Sequence, residues 1–344
     1  MLTRIEALGA VVPETIETTP ALIDRMVFKP PFDVQAITGI RERHVCNDEE
    51  DSLSLAVQAA KDCLSRSRYR AEDLDVIISA SISRFRVPMR MCFEPAFSLQ
   101  VKRAIGAEQA MHFDVSNACA GMMTGVYLLD NLIKAGVARR GMVVSGERIT
   151  PIVDTAAAEV RDARDPQFGS LTVGDSGAAV IIDAAEDEND CIHYISLLTC
   201  AEHSQLCLGM PSDQRAGVAL YTINHEMHRQ ERVQLWPLYQ IDYLAGRGST
   251  FAEEQYDYIV HHQVGTTAVR LFSKFGGAIF KADMPQQLTC VETHGNTSTT
   301  SHFMVLHKHL KENRVKKGAK FLLVPAASGV ITGCVAVTLS SLEV

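Results

Sequence analysis

Apolar residues follow two periodicities that alternate along the chain. Short runs of consecutive apolar residues are typical of buried strands, and apolar residues recurring every three or four positions indicate helices. The strand-like runs cover residues 75–81, 112–115, 141–147, 178–183, 191–199, 256–262, 288–293, 320–326 and 332–341. The helical patterns cover residues 53–67, 97–106, 124–135, 268–276 and 301–313. This alternation predicts an α/β protein with largely buried strands.

Three segments interrupt the alternation. The acidic stretch DAAEDEND (183–190) is the best candidate for a boundary between two halves. Residues 148–170 and 200–255 contain scattered Gly, Pro and charged positions and fit neither period. Long excursions of this kind commonly carry function, so we expect both to cap a site or a partner.

Composition narrows the class of protein. The chain has 344 residues, 47% of them hydrophobic, and a formal net charge of −8, which disfavours broad nucleic-acid binding. Its nine cysteines lack CxxC or His-Cys spacing, so neither a disulfide framework nor a metal site is expected. The first twenty residues have no signal-peptide core, and no apolar run reaches membrane-spanning length. We therefore expect a cytoplasmic globular protein.

The stretch HFDVSNACAG (112–121) places Cys119 between a strand and a helix that begins at Gly121. The free N–H groups and the dipole at a helix N-terminus favour an anion and can lower the pKa of a thiol. Small neighbours leave room for a substrate beside the sulfur. A nucleophile is one interpretation of Cys119, and a small buried core cysteine is the other.

Polar or small residues follow three more strand-like runs. His261 and His262 precede a helix start at 265–267, Asn296 lies in THGNTSTTS, and Ser328 and Gly329 join two apolar strands. Each has a simpler explanation as a core histidine or a turn residue. Because ligands bind at strand ends in α/β sheets, the four positions together predict a site.

The segments NACAGMMTGV, GDSGAAVII, HHQVGTTAVRLF, HGNTSTTS and ASGVITG occur in the order found in thiolase-fold condensing enzymes. With ITGIRERHV (37–45), they resemble most closely the ketoacyl-acyl-carrier-protein synthase III group, over nearly the whole chain. The resemblance implies two pseudo-symmetric α/β halves of layered sheets and helices, 1–183 and 184–344, in a homodimer. It implies catalytic roles for Cys119, His262 and Asn296, and an oxyanion hole formed by the Cys119 and Gly329 amides.

The residue types suit that chemistry. A thiolate attacks an acyl thioester, and two backbone amides stabilise the charge on the carbonyl oxygen. His262 and Asn296 can donate N–H groups to the second thioester and stabilise its enolate, so no metal or redox cofactor is needed. His261 is the alternative histidine. Since neighbouring strand residues point to opposite faces, only one should face the site, and the His-Gln match favours His262.

Several departures from the housekeeping enzymes concern the substrate. The stretch FDVQAI (32–37) lacks the Trp and Arg that grip coenzyme A in those enzymes, and residues 147–177 form a longer insertion. Acyl groups on a carrier protein are therefore favoured over coenzyme A. Glu94, in CFEPAFS, resembles the glutamate that acts as a base across the dimer in olefin-pathway enzymes, which join two acyl chains head to head. A solvated surface glutamate is the competing interpretation.

The predicted function is thus Claisen-type condensation of two acyl thioesters to a 3-oxoacyl product in fatty-acid or polyketide-type metabolism. The alternatives are non-decarboxylative head-to-head coupling, acyl transfer to oxygen, a papain-like cysteine protease, and a non-catalytic scaffold. An acidic carrier protein needs a local basic patch on this acidic chain. Arg270 and Lys274, four residues apart on one predicted helix, are candidates, although such charges usually form an ordinary solvated face.

Overall fold

A computed structural model describes all residues, 1–344, as seventeen strands and thirteen helices, with a few short 3-10 turns. The strands are β1 Thr3–Val11, β2 Ile16–Thr18, β3 Glu42–His44, β4 Val76–Ser79, β5 Phe85–Arg86, β6 Arg90–Met91, β7 Met111–Asp114, β8 Arg140–Glu147, β9 Ser176–Ala184, β10 Cys191–Thr199, β11 Cys207–Pro211, β12 Val218–Thr222, β13 Tyr258–His261, β14 Gln286–Gln287, β15 Ala319–Val324, β16 Ala326–Ala327 and β17 Ile331–Leu339. The helices are α1 Thr19–Arg25, α2 Val34–Thr38, α3 Ser52–Arg66, α4 Phe97–Ile105, α5 Gly121–Lys134, α6 Pro151–Glu159, α7 Asn224–Met227, α8 Gln230–Val233, α9 Leu235–Gly246, α10 Phe251–Glu254, α11 Thr266–Phe280, α12 Val291–His294 and α13 Ser301–Lys311.

The strand order of the first half repeats in the second. From the centre outward, β1-β9-β8-β4-β7 is matched by β10-β17-β15-β13-β14. In both series the first two pairings are antiparallel and the last two parallel. The series meet where Thr3 of β1 pairs antiparallel with Ile192 of β10. The two units are joined by residues 185–190, inside the acidic stretch that the sequence singles out.

Alternate strand residues face different helix layers, as a period of two requires. In the first half, Val76 and Ile78 of β4 pack toward the centre of the molecule, and Ile77 packs with α3 and α4. In the second half, Val260 of β13 faces the centre, and Ile259 faces α9. Helices α5 and α13 contribute to the shared central core. This layered arrangement confirms the expected α/β class.

Two strand predictions fail for local reasons. No strand is predicted before residue 75, yet β1 is central; its register shifts between Ile5 and Ala7, which breaks the alternation. Residues 288–293 are not a strand: only Gln286–Gln287 pairs with β13, and α12 follows. The N–H of Cys290 donates to Oε1 of Gln263 (3.1 Å) instead of a neighbouring strand.

The two irregular regions cover the sheet end where Cys119 lies. The first forms α6 and a 3-10 turn at Phe168–Thr172, and the second forms the β11-β12 hairpin and helices α7 to α10. Residues from both line the same cavity, as expected for capping segments. None of the helices combines the length and apolar character needed to cross a lipid bilayer.

Candidate active site

One cavity of about 430 Å³ collects most of the predicted site residues. Cys119, His262 and Asn296 all line it, together with Ala326, Ala327 and Ser328 of the turn before β17. Residues 37 and 38 of α2 and the first turns of α11 also border it. The site is therefore built from strand ends of both halves and covered by the two capping regions.

Cys119 lies in a single 3-10 turn, Ala118–Ala120, directly before α5. Its Sγ is 3.7 Å from the hydroxyl of Ser298. Ala118 and Ser298 both adopt positive φ angles, 46° and 57°, although neither is glycine. Such conformations persist only where the surroundings impose them, and they concentrate at functional sites. The backbone therefore holds the sulfur at a defined point of the cavity wall.

Burial opposes ionisation of this thiol. Loss of solvation raises the pKa of Cys119 to about 12, and the Ser298 hydroxyl offsets only part of that effect. The direction is opposite to the lowered pKa that the helix N-terminus alone predicts, because the sulfur is enclosed and Glu147 places negative charge nearby. In the free protein, Cys119 is a neutral thiol.

His262 is the first residue after β13, and its N–H donates to the Val324 carbonyl (3.1 Å). Its imidazole makes no hydrogen bond within the chain, and Nδ1 is fully enclosed. Burial lowers the pKa of His262 to about 3, so the ring is neutral. The following Gln263 stabilises the loop after β13. Its Nε2 donates to the His261 carbonyl (2.7 Å), and its Oε1 accepts from Thr289 Oγ1 (2.6 Å).

His261 also borders the cavity, so the expectation that only one histidine faces the site is wrong. The two side chains do point to opposite faces of the sheet: His261 packs against Trp236 and Phe272, and His262 lies near His302 of α13. The cavity extends past the end of β13 into both layers, and therefore reaches both rings.

Backbone hydrogen bonds with Thr172 and Gly174, just after the first irregular region (148–170), hold Asn296 in place. Its N–H donates to the Thr172 carbonyl (2.8 Å), and its carbonyl accepts from Gly174 N–H (3.1 Å). The preceding Gly295 has a φ of 66°, and a Cβ there would lie 2.6 Å from the Thr172 oxygen. Asn296 Oδ1 accepts the Ser298 N–H (3.0 Å), which leaves the Nδ2 group as a free donor beside the cavity.

The two amides expected to form the oxyanion hole are unpaired. The N–H groups of Cys119 and Gly329 have no hydrogen-bond acceptor in the chain. Gly329 has a φ of 134°, a conformation that side chains rarely adopt, and its neighbours Ser328 and Val330 line the cavity. Gly329 itself is not among the lining residues.

Glu94 does not line the cavity. It is exposed, on the segment that follows the short β5-β6 hairpin. Its neighbour Phe93 is 72% exposed, and Val87, Met89 and Met91 of the same arm are also exposed, although less so. An exposed apolar arm of this kind is typical of an interaction surface.

Arg270 and Lys274 are exposed on α11 and have no ion-pair partner. Thr267, Ala268 and Leu271 of the same helix line the cavity. The two basic side chains therefore lie on the helix whose first turns form part of the cavity wall.

Two residues that contribute to the site were not identified from the sequence. Ser298 was not distinguished from its polar neighbours, although it contacts the Cys119 sulfur. Arg43 is completely buried and donates to the carbonyls of Leu171 and Val173, on both sides of the residue that pairs with Asn296. Arg43 lies within the ITGIRERHV motif. Because buried arginines are rare, this motif could have pointed to Arg43 as a residue of the site.

Fold and site together define a thiolase-fold condensing enzyme. The family model of 3-oxoacyl-[acyl-carrier-protein (ACP)] synthase III matches residues 113–198, and the model of the C-terminal part of the same family matches residues 248–339. Together the two matches cover just over half of the chain. The chain belongs to this family of acyltransferases. Family membership removes the papain-like alternative.

Relatives and solved structures match over nearly the full length. The beta-ketoacyl-[acyl-carrier-protein] synthase III of Psychromonas ingrahamii is 26% identical over 339 residues, 97% of this chain and 98% of the relative. FabH from Pseudomonas aeruginosa superimposes with a TM-score of 0.81 at 19% identity, covering 99% of both chains. A variant of OleA from Xanthomonas campestris, crystallised with lauric acid and lauroyl-CoA, gives a TM-score of 0.81 at 20% identity, covering 98% of this chain and 99% of that one. At these identities the solved structures establish the fold.

Proposed function

We propose that this protein joins an acyl group carried on Cys119 to a second acyl thioester by a Claisen-type condensation, giving a 3-oxoacyl product. One observation carries the proposal. Cys119, His262 and Asn296 meet in a single cavity, with unoccupied donors on Asn296 and on the backbone.

In the first half-reaction, the Cys119 sulfur attacks the carbonyl carbon of an acyl thioester. The bond to the donor's sulfur breaks, the donor leaves as a thiol, and the thiol proton of Cys119 leaves with it. Charge develops on the carbonyl oxygen, and the Cys119 and Gly329 N–H groups are the unpaired donors available to stabilise it. Because burial disfavours the free thiolate, sulfur attack and proton loss are coupled.

In the second half-reaction, the second thioester becomes an enolate, either by losing the carboxylate of a malonyl-type group as CO2 or by losing an α-proton to a base. The enolate carbon attacks acyl-Cys119, and the Cys119 sulfur leaves as a thiolate that takes up a proton. The enolate oxygen requires hydrogen-bond donors, and the neutral imidazole of His262 and the Nδ2 group of Asn296 supply them. The new C–C bond forms as the C–S bond to Cys119 breaks, which returns the sulfur for the next cycle. This chemistry draws on side chains and substrate alone.

Acyl carrier protein is the proposed partner, as the names of the family and its relatives indicate. The exposed basic pair Arg270 and Lys274, on the helix that borders the cavity, supports this choice, because carrier proteins are acidic. We further propose that the protein works as a cytoplasmic homodimer, with its nine cysteines reduced. The exposed apolar arm around Phe93 supports the dimer.

Head-to-head coupling of two acyl chains is the second candidate, and the position of Glu94 favours it. The Glu94 carboxylate lies on the apolar arm, away from the cavity of its own subunit. In this position it can reach an active site only if that site belongs to a partner subunit. Decarboxylation of a malonyl-type thioester needs no such base, whereas removal of a proton from carbon does. The fold shared with OleA is consistent with this alternative.

The decisive experiment is intact-mass measurement after incubation with acyl thioesters. The wild-type protein is expected to gain one acyl group, located by peptide mapping at Cys119. Cys119→Ala should lose acylation, with turnover reduced by several orders of magnitude. Cys119→Ser should fold but react poorly, since a hydroxyl is the weaker nucleophile.

Near-normal turnover in Cys119→Ala would disprove the assignment of the nucleophile. Absence of acylation in the folded wild type, with every thioester tried, would favour the non-catalytic scaffold. Equal thermal unfolding midpoints for wild type and variants serve as the folding control.

A further inference from the structure

A buried carboxylate lies outside the cavity but in contact with segments that hold the nucleophile. Glu147, the last residue of β8, is completely buried and does not line the cavity. Its Oε1 accepts from the Ile82 N–H (2.9 Å) and from the hydroxyls of Ser145 (3.0 Å) and Thr299 (3.1 Å). Its Oε2 accepts from the N–H (2.9 Å) and the hydroxyl of Ser83. One side chain therefore joins β8, the segment before β5 and the 3-10 turn that contains Thr299.

The donors around Glu147 are all neutral hydroxyl and amide groups, and they approach both oxygens. Burial raises the pKa of this carboxyl group above its ordinary value, because the charged form loses its solvation. A buried acidic group is costly to keep. A glutamine offers only one acceptor oxygen, so it cannot satisfy donors on both sides. The arrangement of donors therefore requires a carboxylate at this position.

The 3-10 turn connects this carboxylate to the reacting groups. Thr299 directly follows Ser298, whose φ of 57° persists only where the surroundings impose it. The Ser298 hydroxyl is 3.7 Å from the Cys119 sulfur, and the Ser298 N–H donates to Asn296 Oδ1 (3.0 Å). The turn therefore contacts the nucleophile with one group and orients the Asn296 amide with another.

Thr299 also contacts the start of helix α5. A Cβ on Gly121, the first residue of α5, would lie 3.2 Å from the Thr299 methyl group. This part of the backbone comes two residues after Cys119. Because the hydroxyl bond to Glu147 fixes the rotamer of Thr299, the same bond fixes the packing of the methyl group at Gly121.

We propose that Glu147 is a positioning residue for the nucleophile and acts through Thr299. It holds the Ser298 turn in the conformation that places the Cys119 sulfur and the Asn296 amide for reaction. Glu147 does not border the cavity, so its effect falls on rate constants and not on substrate binding. This inference deepens the proposed function and rests on it for the reaction that Cys119 performs.

Single-turnover acylation of Cys119, followed by intact-mass measurement, tests the proposal. Thr299→Val removes the hydroxyl but keeps a methyl group against Gly121. We expect its maximal acylation rate constant to fall by at least about tenfold, because small misplacements of reacting groups cost that much or more. The thioester concentration that gives half of the maximal rate should not change. Thr299→Ser keeps the hydroxyl and should retain most of the rate.

Thr150→Val is the matched control. The Thr150 hydroxyl donates to Oδ2 of Asp175 (2.7 Å), another completely buried carboxylate, and neither residue lines the cavity. The chemical change is the same as in Thr299→Val, so a similar loss of thermal stability is expected. The acylation rate constant of Thr150→Val should nevertheless equal that of the wild type.

Glu147→Gln tests the carboxylate itself. It should also slow acylation by at least about tenfold. Glu147→Gln combined with Thr299→Val should be no slower than the slower single variant, because both changes break the same connection. If Glu147→Gln does not fold, Ser145→Ala takes its place. That variant removes a hydroxyl which contacts both Glu147 (3.0 Å) and Thr299 (2.8 Å), and it should lower the rate constant as well.

A wild-type rate constant in Thr299→Val would overturn the inference, and so would an equal loss of rate in Thr150→Val. A loss that Thr299→Ser does not recover, or a smaller acylated fraction at an unchanged rate constant, would also overturn it. Failure of the proposed function gives a different result, because the wild type itself would then form no acyl-Cys119. A wild type that is acylated, with variants that react equally fast, retains the function and loses only this inference.

Discussion

Burial keeps both reacting side chains neutral in the free protein. The pKa of the Cys119 thiol is raised to about 12, and that of the His262 imidazole is lowered to about 3. A neutral imidazole is a hydrogen-bond donor, not a cation, which suits stabilisation of an enolate. This neutral state fits the roles proposed for His262 and Asn296 in the second half-reaction.

We predict that His262→Ala and Asn296→Ala still acylate Cys119 but fail to condense. Loss of one enolate donor is expected to slow condensation by about a hundredfold or more. Intact-mass analysis should show accumulated acyl-enzyme, and chromatography should show no ketone product. If His261→Ala gives that pattern and His262→Ala condenses normally, the assignment of the two histidines is reversed.

Helix α11 follows the loop that carries His262 and extends along the protein surface. Its first turns line the cavity, and Arg270 and Lys274 lie one turn apart on its exposed face. A carrier protein that docks on this face would hold its thioester arm close to the cavity. The two charges are therefore placed to act on association more than on chemistry.

Reversing both charges, Arg270→Glu with Lys274→Glu, should raise KM for a carrier-bound substrate about tenfold at low salt. The reaction of a small thioester mimic should not change. Lys281→Glu with Lys317→Glu changes the net charge equally at exposed positions outside the cavity lining, and should have little effect. Equal effects of Arg270/Lys274 reversal on both substrates would refute docking at α11.

At the scale of the whole molecule, the role proposed for the apolar arm and Glu94 requires the proposed dimer. Mixed dimers that pair Glu94→Gln subunits with Cys119→Ala subunits test this directly. If Glu94 acts across the interface, one site has lost both groups and the other is intact, so about half of the activity returns.

Both parent homodimers should be inactive in the same assay, and size-exclusion chromatography with light scattering confirms the assembly. Inactive mixed dimers would place Glu94 in its own subunit's site. Full activity of the Glu94→Gln homodimer would remove Glu94 from the mechanism and favour decarboxylative condensation.

Buried histidines also link global stability to pH. Burial lowers the pKa values of five histidines to about 3 or 4: His261, His262, His294, His302 and His307. The unfolded chain binds these protons near its ordinary histidine pKa of about 6.5. Their stabilising effect is therefore complete above about pH 6.5 and is lost as the pH falls toward 4.

We predict that the free energy of unfolding falls by up to about 1.4 kcal/mol per pH unit for each of these histidines near pH 5. Urea unfolding across this pH range measures the slope. His307→Gln should reduce the slope by the amount that corresponds to about one bound proton. His225→Gln, a change at an exposed position, should leave the slope unchanged. A slope equal in wild type and His307→Gln would contradict the assignment.

The sequence by itself determined what is encoded locally. Eight of the eleven strands of the central sheet and five of the thirteen helices follow from apolar periodicity, because each of these elements must bury one face or both. The position of Cys119 follows from a strand that ends shortly before a helix begins. The order of short motifs was sufficient to indicate the family and to propose His262 and Asn296.

Only the tertiary structure decided the features that depend on distant segments. The pKa of Cys119 depends on enclosure and on Glu147, so the helix N-terminus alone gave the opposite direction. His261 borders the cavity because the cavity crosses the end of β13, which the alternation of side chains does not reveal. Arg43, Ser298 and Trp236 reach the site through packing between residues far apart in sequence, and periodicity carries no information on such contacts.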